Sequence, residues 1–281
     1  MTVTLGLVQM SMRDDPKKNL EKALDMINDA SRKGAQIVCL PELFNSPYFP
    51  QDEKVDASRY AETSSGKSAR ALSQAASDNG IILIGGSIFE VDGKHFYNTS
   101  LVFDEKGKMI SRYRKVHIPH DPNFYEQNYF TAGDGFKVID TRLGKIAVLI
   151  CYDQWFPEAA RTCALMGAQM IFYPTAIGLV EGMEQIEGDW QDAWTTVQRG
   201  HAIANGAAVI AVNRVGKERG MRFWGGSFVS SQFGTILAKG DSTEQVIIAK
   251  VSKALGGHVR EGWRFFYNRR PETYGKIVER I

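Results

Sequence analysis

The feature that most constrains this chain is a recurring pair: a short run of apolar, often β-branched residues, then a stretch of helical periodicity. Thr2–Met10 reads as a buried strand. Asn19–Arg32 places Leu20, Ala23, Leu24, Ile27 and Ala30 on one helical face, and Gly34 follows where a C-cap glycine belongs. Ala35–Leu40 is a second buried strand, and Lys67–Ser77 is a second helix stopped by Asn79-Gly80. Ile81–Phe89, Thr99–Asp104 and Met109–Val116 read as strands, the last two joined by a turn at Asp104–Gly107. The second half repeats the element types. Lys145–Ile150, Ala168–Tyr173, Ala207–Asn213 and Val246–Val251 are strands, Pro157–Met166 and Asp192–Ala204 are helices, and Gly226–Ser231 with Thr235–Ala238 forms a hairpin. Hairpins interrupt the strand–helix alternation. The pattern therefore predicts an α/β fold of two mixed sheets packed face to face with helices outside, rather than a simple doubly wound sheet.

The 281 residues show no linker, low-complexity stretch or long repeat, which predicts one domain over residues 1–281. The stretch 253–281, with Trp263, Phe265, Phe266 and Tyr267, reads as a tail that docks elsewhere, on a neighbouring subunit. A net charge of +2 gives no basic surface for nucleic acid. No run approaches the roughly 18 apolar residues that span a bilayer, and no leader pattern opens the chain, so no membrane partner is expected. The three cysteines, Cys39, Cys151 and Cys163, are too few and odd in number for a disulfide framework. They point to a reducing compartment, the cytoplasm.

Three polar residues sit at predicted strand ends. Cys151 closes Lys145–Ile150 just before a helix, the strand–turn–helix placement of a nucleophile elbow. Alone it reads equally as a small core cysteine. Glu42 closes Ile37-Val-Cys-Leu-Pro, where burial would raise its pKa and make it a usable general base; a surface carboxylate is the plain alternative. Lys115 ends Ser111-Arg-Tyr-Arg-Lys, where an ammonium could hold an oxyanion or simply be a solvated edge-strand lysine. Together they supply base, oxyanion donor and nucleophile. Competing motifs are weaker. Ser65-Gly66-Lys67-Ser68 has Ala61 where a P-loop needs glycine, His117 and His120 lie around the helix breaker Pro119, and no Gly-x-Ser-x-Gly occurs. Cys39 and Cys163 fall within a strand and a helix and read as core.

Three segments, Leu40-Pro41-Glu42-Leu43-Phe44, Tyr113-Arg114-Lys115-Val116-His117 and Ile150-Cys151-Tyr152-Asp153-Gln154-Trp155-Phe156-Pro157-Glu158, together resemble the motifs of the nitrilase superfamily of carbon-nitrogen hydrolases in order and spacing. The resemblance covers nearly the whole chain. It implies an αββα four-layer sandwich, no metal or organic cofactor, at least a homodimer, and a Glu42–Lys115–Cys151 triad with Glu126 as a second glutamate in the site. Asp153–Ala159, Tyr173–Gly178 and Gly200–Asn205 look most like the N-carbamoylputrescine amidase branch. That implies hydrolysis of a small N-carbamoyl amine to amine, carbon dioxide and ammonia. Relatives acting on β-ureido acids or ω-amides, and a catalytically silent scaffold member, are the competing expectations. Where the branch has Ser-Arg-Asp-His-Trp, this chain has Glu187–Trp194. Glu187 and Asp189 are therefore candidates for the distal wall that receives a cationic tail, or else members of a solvated loop. Tyr48 and Trp155 are candidates to flank the substrate, and the Tyr152 N–H to join the oxyanion site.

Overall fold

The computed structural model describes residues 2–183 and 186–280. Met1 and Ile281, which close the expected domain and tail, lie outside the described residues. The first half contains β1 (Thr2–Gln9), α1 (Pro16–Arg32), β2 (Ile37–Cys39), α2 (Lys67–Asn79), β3 (Ile82–Ile84), β4 (Ile88–Asp92), β5 (His95–Phe103) and β6 (Met109–Arg114). The second contains β7 (Val138–Thr141), β8 (Gly144–Val148), α3 (Pro157–Leu165), β9 (Met170–Thr175), β10 (Gly178–Val180), α4 (Trp190–Asn205), β11 (Ala208–Asn213), β12 (Val215–Glu218), β13 (Met221–Trp224), β14 (Phe228–Ser230), β15 (Ile236–Lys239), β16 (Gln245–Ser252) and α5 (Lys253–Trp263).

One sheet runs β16-β1-β2-β3-β5-β4 with β6 also on β5, and the other runs β15-β14-β11-β9-β8-β7. Both mix parallel and antiparallel pairs: β1, β2 and β3 are parallel neighbours, as are β8, β9 and β11, with antiparallel strands at the margins. Strand periodicity sorts the side chains into layers. Leu5, Leu7, Ile37 and Ile82 of the first sheet share one buried cluster with Ile146, Val148, Phe172 and Ile210 of the second, so the two inner faces pack on each other. Val8, Val38 and Leu83 face the other way, against Ile27 of α1 and Leu72 of α2. Ile171, Tyr173 and Val209 face Ala159 and Cys163 of α3 and Ala202 of α4. The result is the four-layer αββα sandwich. Burying each Leu or Ile of these layers contributes about 1.5–3 kcal/mol.

Local chemistry explains where the elements begin and end. The α1 helix starts at Pro16, ahead of the apolar stripe, because Asp15 accepts from the N–H groups of Lys17 (2.9 Å) and Lys18 (3.4 Å). The run Ile81–Phe89, expected as one strand, is two: β3 and β4 are separated at Gly85-Gly86. Gly86 has φ +57°, and a Cβ there would lie 2.0 Å from the Pro41 carbonyl oxygen. The break thus lets the chain pass directly under the segment that carries Glu42.

Periodicity did not reveal a small third sheet, β10-β13-β12, whose Val180, Met221 and Phe223 pack with Tyr48 and Phe49. The segment 253–281, expected as a docking tail, has helical structure of its own. It opens with α5, which buries Val259 and sends Arg260 to the carbonyls of Asn205 (3.0 Å) and Ala168 (2.5 Å) on the same chain.

Candidate active site

Glu42, Lys115 and Cys151 follow the carboxyl ends of β2, β6 and β8. The first two belong to one sheet and the third to the other, so face-to-face packing brings them together at one end of the sandwich. Glu42 and Lys115 are fully buried, and Cys151 is 8% exposed. The Lys115 ammonium donates to Glu42 Oε1 at 2.9 Å and to both Glu126 oxygens at 2.9 and 2.7 Å. Tyr48 donates its hydroxyl proton to Glu126 Oε1 at 2.7 Å. Asn98, which the sequence reading did not single out, donates to Glu42 Oε1 at 2.7 Å. Glu42 Oε2 has no partner among the described residues, which leaves one buried lone pair free. Burying one cation and two carboxylates is tolerable because Lys115 pairs with both glutamates, and Asn98 and Tyr48 donate to them as well.

Electrostatics set the resting protonation. Burial pushes the Cys151 thiol well above its usual range; Glu42 and Glu126 push it the same way, against the pull of Lys115. The thiol is therefore neutral at rest. Burial alone would lower the Lys115 pKa, but Glu126 and Glu42 outweigh it and the net shift is upward. Lys115 stays an ammonium. Burial raises Glu126 to about 7, opposed by Lys115 and reinforced by Glu42.

The backbone around the sulfur is held in an uncommon conformation. Cys151 has φ +43°, in the left-handed region, and begins the 3-10 turn Cys151–Trp155 that leads into α3. Such a strained strand–turn–helix corner aims a side chain off the sheet edge and leaves first-turn N–H groups available. Asp153, fully buried, fastens this corner. Its carboxylate accepts from the Ile150 N–H (2.9 Å), the Tyr113 hydroxyl (2.7 Å) and the His117 N–H (3.0 Å), and lies 2.7 Å from His117 Nδ1. It thereby ties the strand end bearing Lys115 to the turn bearing Cys151. His201 donates from Nε2 to the Gln154 carbonyl (2.8 Å) in the same turn; burial lowers its pKa, so it serves as a neutral ring of fixed tautomer.

A cavity of about 490 Å³ opens onto this cluster, the size of a small-molecule site. Tyr48, Glu126, Cys151, Tyr152, Trp155 and Glu187 line it. So do Trp190 and, missed by the sequence reading, Asp121, Phe124 and Gln154. Nothing in their spacing marks them: Asp121 and Phe124 come from the segment after β6, and Gln154 from the 3-10 turn that Cys151 begins. Glu187 accepts from the Trp190 indole N–H at 3.2 Å. Asp189 is not at this wall. It is the N-cap of α4, accepting from the N–H groups of Gln191 (2.9 Å) and Asp192 (3.0 Å), and it lines a neighbouring cleft with Lys217 and Arg222.

The family model for carbon-nitrogen hydrolases matches residues 4–261. The chain belongs to the carbon-nitrogen hydrolase family. This hydrolase is 38% identical over 287 residues to an N-carbamoylputrescine amidase of Solanum lycopersicum, covering 98% of this chain and 95% of the relative. It is 36% identical over 284 residues to a citrullinase of Francisella tularensis subsp. tularensis, covering 99% of each. A crystal structure of a carbon-nitrogen hydrolase from Helicobacter pylori G27 superposes with a TM-score of 0.95 at 38% identity, covering 100% of this chain and 99% of that one. The nitrilase-superfamily assignment and the fold expected from the sequence hold, and the chain is an amide-cleaving hydrolase.

Proposed function

We propose that this carbon-nitrogen hydrolase removes the carbamoyl group of a small N-carbamoyl amine with a cationic tail, of the N-carbamoylputrescine kind, through a covalent intermediate on Cys151. The observation that carries the reading is the fully buried Glu42–Lys115–Glu126 set beside a neutral thiol that lines a cavity of small-molecule size. Glu42 Oε2, the free lone pair, takes the thiol proton as sulfur attacks the ureido carbon. Lys115 and the Tyr152 N–H hold the oxyanion. As the tetrahedral species collapses, Glu42 returns the proton to the departing ammonia. Glu126 and Tyr48 position the substrate and then the water that cleaves the thiocarbamoyl enzyme. The carbamic acid so released loses carbon dioxide and frees the amine, which places the reaction in polyamine biosynthesis.

Charge supports the cationic tail. The described residues lining the cavity include the carboxylates Asp121 and Glu187, and no Lys or Arg. A β-ureido acid, citrulline or an ω-amide of a dicarboxylic acid carries a carboxylate that would face those anions unpaired. Trp155 flanks the stem of the substrate. Ammonia release from matched carbamoyl compounds with ammonium, neutral and carboxylate tails tests the assignment. Turnover should favour the ammonium member, and preference for the carboxylate member would overturn it; no turnover of any member would favour the silent scaffold.

The enzyme is further proposed to be a homodimer, or higher homo-oligomer, of the cytoplasm. Met166 at the end of α3 and Trp263 at the end of α5 are 47% and 60% exposed, an apolar surface that a second copy would cover. All three cysteines are free, as a reducing compartment keeps them.

A further inference from the structure

We propose that the buried Arg214–Glu218 pair is a positioning unit for catalysis, holding Glu42 and Tyr48 in the geometry that thiol attack requires. Arg214 lies just before β12, and its side chain is fully buried. Its Nη2 donates to the carbonyl oxygens of Glu42 (2.8 Å) and Leu43 (3.0 Å). Its Nη1 donates to Glu218 Oε1 (2.7 Å) and to the Ser46 carbonyl (3.4 Å). The second oxygen of Glu218 accepts from the Tyr48 N–H at 2.6 Å. From there the Tyr48 hydroxyl reaches Glu126, Glu126 pairs with Lys115, and Lys115 returns to the Glu42 carboxylate. The pair therefore closes a ring that passes through the main chain of Glu42 and of Tyr48 and through the three charged side chains of the site.

Apart from the bond within the pair, the side-chain hydrogen bonds of Arg214 and Glu218 all go to the segment 42–48. That segment needs holding: Leu43 sits at φ +47°, a conformation that persists only where its surroundings enforce it. Opposite Arg214, Ser87 Oγ accepts from the Leu43 N–H at 2.9 Å, so the strained turn is gripped from both sides. Both reach the site through main-chain groups of the segment 42–48, which makes them positioning residues that act through Glu42 and Tyr48. A buried ion pair is seldom the cheapest way to stabilise a core. Here its directionality, with carbonyl and N–H partners fixed on one turn, gives it a use an apolar pair would lack.

The inference rests on Cys151 and Glu42 having the roles proposed above. Its test is a comparison of wild type, Glu218→Gln and Arg214→Lys, both variants keeping side-chain volume. Three readouts are needed: turnover per Cys151 that iodoacetamide can label, the labelling rate of Cys151 mapped on its peptide, and the thermal midpoint. Expected are a fall in kcat of at least about ten-fold with KM held within about two-fold, and labelling slowed in step in protein that is still folded. Wild-type kcat per labelled site in both variants, or a loss that follows only the unfolded fraction, overturns the inference while leaving the proposed chemistry standing. A wild-type Cys151 that iodoacetamide leaves untouched overturns the chemistry, and the inference with it.

Discussion

On the proposed chemistry the Cys151 thiol starts each turnover protonated, because burial and two carboxylates hold its proton against the pull of Lys115. Activity must then depend on carboxylates that are ionised when substrate arrives. Glu126 is raised to about 7, so its ionised form, the one that pairs with Lys115 and accepts from Tyr48, predominates only above that pH. The sign follows: kcat/KM should climb as pH rises through about 7. Glu126→Gln should lose that limb and about a hundred-fold in activity, read from a pH–rate profile. A profile unchanged in the variant would remove Glu126 from the titration. Farther out, Asp121→Asn and Glu187→Gln should each raise KM for a cationic substrate about five-fold while leaving a neutral analogue unaffected, the modest size reflecting solvent-screened pairs.

At the scale of elements, the sequence was legible where one local rule settled the outcome. Strand and helix periodicity located nearly every layer of the sandwich, and three strand ends carried the residues that meet in the site. It was less legible where two rules compete. Ile81–Phe89 is apolar except at Gly85-Gly86-Ser87, and it turns there, where Gly86 passes close to the Pro41 carbonyl. Asp189 has the charge of a ligand-binding residue and the position of a helix cap, and the cap takes it. Asp153 and Asn98 act through partners 36 and 56 residues distant, which no short window displays. The capping role gives a clean contrast with Glu187. Asp189→Ala should cost about 1 kcal/mol in thermal or urea unfolding and leave KM unchanged. A raised KM at unaltered stability would return Asp189 to the pocket.

Across the whole molecule, the site is a product of sheet-on-sheet packing. Glu42 and Lys115 come from one sheet and Cys151 from the other, so the core between them sets the distance at which chemistry occurs. Phe172 lies in that core, 1% exposed. Phe172→Ala should cost about 3–5 kcal/mol in urea unfolding, against less than about 0.5 for a surface change away from such contacts. Subunit association, proposed from exposed apolar side chains such as Met166 and Trp263, belongs to this scale too. Sedimentation should give twice the chain mass or more, and glutamate at Met166 should lower it. The central claim remains that one sulfur carries the carbamoyl group. Ammonia release from N-carbamoylputrescine by Cys151→Ala, compared with wild type at equal folded concentration, tests it most directly. A loss of at least about a thousand-fold is expected, about 4 kcal/mol of transition-state stabilisation; turnover at the wild-type rate would contradict the proposed role of Cys151.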